Sequence, residues 1–375
     1  TTETLWNLME KKSKLKINSL KLKNFRNYDL LNLELSEQTN IFYGDNAQGK
    51  TNILESLYLC GTTKSHRGTK DKDMIQFGKD ESHIEVKVEK RGITYQIDMH
   101  LKKNKAKGIA INRIPIKKAS ELFGILNVVF FSPEDLNIIK NGPAERRRFI
   151  DLELSQLDKV YLNDLGNYNR IINQRNKLLK DISFNSGLKD TLDIWDIQLI
   201  EYGEKVIQAR KKFVSDINEI ISEIHKKLTG NQEQIEVIYE PNTGGQSLGD
   251  VIQRNRERDL RMMSTTSGPH RDDICFQVDG IDIRKFGSQG QQRTAALSLK
   301  LSEIELVKML TKDKPVLLLD DVLSELDKHR QNYLLDSIDD IQTLITCTGV
   351  DEFVNHRFSI NKIFYVHEGQ VRNEN

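Results

Sequence analysis

Gly44-Asp45-Asn46-Ala47-Gln48-Gly49-Lys50-Thr51 follows the spacing G-x-x-x-x-G-K-[ST] of a phosphate-binding loop. Gly44 and Gly49 permit the tight, partly left-handed backbone on which the N–H groups from Asp45 to Gln48 converge on an anion. Lys50 supplies a point charge for β- and γ-phosphates, and Thr51 offers its hydroxyl to Mg²⁺. The flanks agree with this reading. Thr39 to Tyr43 is strand-like, and Asn52 to Leu59 carries apolar residues at helical spacing, so the anion would sit at a helix N-terminus.

Two stretches far downstream extend the site. Pro315-Val316-Leu317-Leu318-Leu319-Asp320-Asp321 is a continuous apolar run ending in two acids, the pattern of a strand buried on both faces. Carboxylates there are costly unless they serve a cation or a base. Asp320 suits the Mg²⁺ shell and Asp321 the activation of an attacking water, so Asp321, Lys50 and Asp320 are the candidate catalytic residues. Phe286 to Arg293 leads a helix running from Thr294. Its Ser288, Gly290 and Gln291 offer hydroxyl, open backbone and helix dipole to a second anion, although an ordinary helix cap uses the same residue types. Upstream, Lys16 to Leu22 and Leu30 to Leu35 alternate apolar and polar residues as paired strands. Arg26 and Asn27, in the turn between them, lie beside the nucleotide or are simply polar turn residues.

The middle of the chain adds strands, a basic patch and long helices. His83 to Lys90 and Gly92 to Leu101 read as antiparallel strands. Lys102, Lys103, Lys105, Lys107, Arg113, Lys117 and Lys118 follow with no acidic residue between Asp98 and Glu121. One-signed clustering of this kind fits contact with a phosphate backbone, which needs no base reading, and a solvated hairpin surface is the plainer alternative. The arginine-rich helix Leu248 to Met262 ranks second. Leu126 to Phe131 is a buried-type strand. Helical spacing from Pro143 onward breaks at Phe184-Asn185-Ser186-Gly187 and resumes from Leu188 to Leu228, predicting an antiparallel arm about 50 Å long at 1.5 Å per residue, or simply a helical insertion that packs on the head. The predicted domains are residues 14–131, a helical arm at 132–264, and 265–375 returning to the first domain.

Composition sets the class. The chain has 375 residues with a formal net charge of +1 and 30% charged residues. Nucleic-acid binding would therefore rest on local patches, since the global field is weak. No apolar run approaches a membrane span, and Thr1 to Ser13 is polar without a leader pattern. Cys60, Cys275 and Cys347 are too scattered for a metal site and read as core thiols of a reducing compartment.

The order of these elements resembles the ABC-type ATPase heads of SMC proteins, and more closely the RecF family of bacterial recombination mediators. Asn24 to Tyr28, Gly44 to Thr51, Lys64 to Arg67, Ser132 to Leu136, Gly142 to Asp151, Gly268 to Asp273, Phe286 to Arg293 and Leu319 to Asp327 all resemble that family's characteristic segments. The resemblance implies an α/β ATPase head with a helical second domain, ATP and Mg²⁺ as cofactors, and a cytoplasmic protein without membrane partners. It implies an ATP-dependent homodimer in which Ser288 to Gln291 meets the γ-phosphate held by the other copy. It implies binding of duplex and junction DNA, RecR and RecO as partners, and indirectly RecA. Four positions depart from the wider ABC pattern. Gln289 replaces a Gly, and Asp321 a Glu. Glu134 lies near an expected Gln, and Thr346 or Thr348 stands where a switch His is common. These changes fit a weak ATPase used as a timer. A transporter subunit shares the head but has no need of the helical insertion and basic patches. Asp320 and Asp321 set a non-hydrolysing scaffold at a disadvantage.

Overall fold

The structure is a computed structural model, and it describes residues 15–349 and 360–374. The stretch Thr1 to Ser13 lies outside them. Described residues up to Asp135 and from Glu303 onward form one compact unit, and Leu136–Ser302 forms the other. None of the described helices is long and apolar enough to cross a membrane.

The first unit is built on two six-stranded sheets. One contains β1 (Lys16–Phe25), β2 (Tyr28–Glu34), β4 (Glu81–Lys90), β5 (Ile93–Lys102), β6 (Lys105–Ile111) and β7 (Ile114–Pro115), in the order β2-β1-β4-β5-β6-β7. Its pairings are antiparallel. β1 shows why the alternation reads true: Leu20 and Leu22 are buried while Lys21 and Lys23 face solvent. A register shift between Ile17 and Ser19 places Ser19 and Leu20 inside together.

The second sheet has the order β15-β14-β3-β13-β12-β8. It comprises β3 (Thr39–Tyr43), β8 (Val128–Phe131), β12 (Val316–Asp320), β13 (Thr343–Cys347), β14 (Ile360–His367) and β15 (Gln370–Asn373). From β14 to β8 it is parallel, with β15 as an antiparallel edge. Helix α1 (Lys50–Thr62) packs with both sheets in one apolar core that includes Ile53, Leu54, Leu57, Ile84, Val86, Phe42, Leu318 and Phe364. Every residue of α1 from Ile53 to Cys60 is buried, as a helix covered on all sides requires.

The second unit is helical around a small sheet. It holds α2 (Leu136–Lys140), α3 (Pro143–Leu157), α4 (Lys159–Ile182), α5 (Leu192–Leu228), β9 (Ile235–Glu240), α6 (Leu248–Met262), β10 (Asp273–Val278), β11 (Ile281–Asp282) and α7 (Ile283–Phe286). Helix α8 (Gln289–Thr311) begins in it. The first limb of the predicted arm is broken into two helices rather than continuous. Asp158 ends α3 and caps α4, its carboxylate accepting from the N–H groups of Val160 at 2.8 Å and Tyr161 at 3.1 Å. The 24 residues of α4 span about 36 Å, so α4 runs beside only part of the 37-residue α5. Arg175, fully buried on α4, ties three helices. It donates to Asp196 of α5 at 2.6 Å, and to Asp259 of α6 at 2.7 Å. Residues 265–302 group with this unit, rather than with the head as predicted, because β10 pairs with β9 and Asp273 receives a 2.6 Å hydrogen bond from Arg146 of α3.

Candidate nucleotide-binding site

The phosphate loop joins the C-terminal end of β3 to α1, and its backbone requires the two glycines. Gly44 and Gly49 have φ of 146° and 110°, and Ala47 sits at 65°. A Cβ on Gly49 would lie 2.5 Å from Asn27 Nδ2, and one on Gly44 would collide with the Val366 carbonyl oxygen. Lys50 Nζ donates to the carbonyls of Gly44 at 2.6 Å and Asp45 at 2.8 Å, so the ammonium is held inside the loop's curve. Burial lowers its pKa against the opposing pull of Asp321 and Asp320.

β12 ends beside the loop. Thr51 Oγ1 donates to Asp320 Oδ1 at 2.7 Å, and Thr346 Oγ1 donates to the same oxygen at 2.7 Å. Burial raises the Asp320 pKa despite these hydroxyl donors. A half-buried carboxylate held this way, next to a threonine hydroxyl, is a donor set that suits Mg²⁺, whose charge would relieve the cost of its partial burial. Asp321 takes a left-handed backbone, φ 55°, and its N–H donates to Thr346 Oγ1 at 3.0 Å. Together Asn46, Ala47, Gly49, Lys50, Thr51, Asn52, Arg67, Asp320, Asp321 and Thr346 line an open cavity of about 280 Å³.

A family model described as the RecF/RecN/SMC N terminal domain matches residues 16–372. The DNA replication and repair protein RecF of Lachnospira eligens is 62% identical, over 96% of this chain and 99% of its own length. That of Agathobacter rectalis is 64% identical, over 95% and 98%. The chain belongs to the RecF family. A structure of the recombination mediator protein RecF with ATP is similar at a TM-score of 0.91 and 35% identity, covering 96% of this chain and 98% of that one. The Smc head domain from Pyrococcus furiosus, at 17% identity and a TM-score of 0.55, shares the fold. This RecF-family chain therefore has an SMC-like ABC-type ATPase head.

The remaining predicted residues are not all in the cavity. Asn27 clamps the loop from outside, donating to the Gln48 carbonyl at 2.9 Å and accepting from Asn52 Nδ2 at 2.8 Å. Gln48 holds the turn after β14 by accepting from the Glu368 N–H at 2.6 Å. Arg26, read as a nucleotide neighbour or a turn residue, is committed to Glu55 of α1 through two hydrogen bonds of 2.8 Å and does not line the cavity. Burial alone would raise the Glu55 pKa, but the donors Arg26 and Ser65 outweigh it and lower it. Ser288, Gly290 and Gln291 belong to the other unit. Glu134 is exposed on a short turn, and Thr348 is exposed too, so Thr346 is the threonine that serves the site.

Arg67 and Asn52 are site residues that sequence reasoning missed. Asn52 falls just past the motif, and Arg67 lies in Lys64 to Arg67, a segment that resembles the family's but to which sequence reasoning assigns no role at the nucleotide. The lysine patch also differs from its sequence. Lys107 is turned inward, donating to Asp71 at 2.8 Å. Lys103 pairs with Asp80 at 3.1 Å and Lys102 with Glu81 at 3.5 Å. β6 pairs with β5, and β5 with β4, so acids distant in sequence arrive beside the lysines. Lys105 is exposed.

Proposed function

We propose that the chain is an ATP-dependent DNA-binding protein of recombinational repair, in which ATP closes a dimer of heads on DNA. The observation that supports this reading is the 2.7 Å bond from Thr51 to Asp320, which brings residues 269 positions apart to one cation position. Thr51 and Asp320 would hold Mg²⁺, which when bound draws charge from phosphate oxygens. In this reading the loop N–H groups and Lys50 bind and orient the phosphates, and Asp321 accepts a proton from water. Ser288, Gly290 and Gln291 of a second copy would complete the γ-phosphate site. Slow, DNA-stimulated hydrolysis then releases the dimer. In the cell this activity would serve single-strand gaps, working with RecR and RecO to help RecA load, and so support replication and SOS induction.

Size measurement by light scattering tests the reading. The chain of 43.3 kDa is expected to double in mass with ATP and DNA, and to stay a monomer with neither. An unchanged mass in all conditions would remove the dimer from the mechanism.

DNA contact makes a second prediction. Lys102, Lys103 and Lys105, all changed to Glu, should weaken binding to every sequence alike, with the slope of log affinity against log salt falling by about 0.9 per lost contact. The surface ion pairs of Lys102 and Lys103 are weak enough to be exchanged for phosphate. Lys107 is left intact because reversal would set a carboxylate against Asp71. If this variant keeps the parent's affinity and slope, while Arg258→Glu with Arg261→Glu loses them, the DNA lies on α6 instead.

A further inference from the structure

Ser288-Gln289-Gly290-Gln291 forms a closed cap in this structure. The Gln291 N–H donates to Ser288 Oγ at 3.1 Å, and Gln291 Oε1 accepts from the Ser288 N–H at 3.0 Å. This is the reciprocal capping box of an S-x-x-Q sequence. The other end of the Gln291 amide is also engaged: Nε2 donates to Glu233 Oε1 at 3.0 Å. Glu233 lies in the loop between α5 and β9 and is partly exposed.

The second oxygen of Glu233 faces His225 near the end of α5, with Oε2 3.4 Å from Nε2. His225 is fully buried, and its Nδ1 lies 2.9 Å from Ser298 Oγ on α8. The Ser298 hydroxyl donates to the Thr294 carbonyl at 2.8 Å. With that proton on the Thr294 carbonyl, the Ser298 oxygen is open to a hydrogen on Nδ1. The Glu233 carboxylate therefore faces the ring nitrogen opposite the one that meets Ser298. Glu233 is thus shared between the long helix α5 and the predicted γ-phosphate ligands.

We propose that Glu233 is a positioning residue that acts as a phosphate-displaceable latch on Gln291. Its carboxylate occupies the amide donor that a partner-held γ-phosphate would take, and its negative charge opposes that anion's arrival. On displacement Glu233 turns fully to His225, which carries the event to the end of α5. The proposal rests on the γ-phosphate role of Ser288 to Gln291 given above.

The test is Glu233→Gln, which keeps an acceptor for Gln291 and removes the charge. Glu233 is partly exposed, so the variant should fold. The expected result is that half-maximal dimerisation needs about tenfold less protein at saturating ATP, the order of one screened charge contact removed per site. ATP affinity of the monomer should not change, since the phosphate loop belongs to the other unit. Glu233→Asp, which keeps the charge, should stay close to the parent. A Glu233→Gln variant that dimerises as the parent does, or less well, overturns the latch while the dimer reading stands. A parent chain that does not dimerise with ATP, or a Ser288→Arg variant that still does, overturns both.

Discussion

Lys50→Ala is expected to abolish ATP-driven dimerisation and to reduce ATP affinity by about a hundredfold or more. The side chain is the cation of the loop, and burial has already stripped part of its hydration. Charge-assisted hydrogen bonds contribute about 1.5–3 kcal/mol each, and two to phosphate oxygens account for this loss. The variant also removes the contacts that hold the loop closed on the Gly44 and Asp45 carbonyls. Fluorescent-nucleotide titration measures the affinity, and light scattering measures the mass. Normal dimerisation with ATP in this variant would place the nucleotide elsewhere.

Asp321→Asn should separate binding from turnover. The expected outcome is preserved ATP binding, a longer-lived dimer and phosphate release slowed by about a hundredfold, the low end for loss of a general base. Asn matches Asp in shape and tolerates the left-handed backbone at φ 55° equally well, so the fold is not at issue. The N–H to Thr346 Oγ1 bond also survives, because it comes from the backbone. Single-turnover release of phosphate, with and without DNA, is the measurement. An unchanged rate would mean that another group handles the water's proton.

The phosphate loop, the apolar strand ending in Asp320 and Asp321, and the alternation of β1 were legible in the sequence because each is local. A loop that must cradle an anion needs Gly at positive φ, and a doubly buried strand needs an unbroken apolar run. These patterns, with the order of the elements, determined the fold and the core of the site. Tertiary structure decided what depends on partners distant in the chain. Arg26 carries the same charge whether it faces a nucleotide or Glu55, and only the packing of α1 chooses. Lys107 reads as part of a one-signed surface until the fold brings Asp71 to it. Arg67 enters the cavity and Thr346 reaches Asp320 because separate segments converge there. A side chain's charge is written in the sequence, but the charge opposite it is set by the fold.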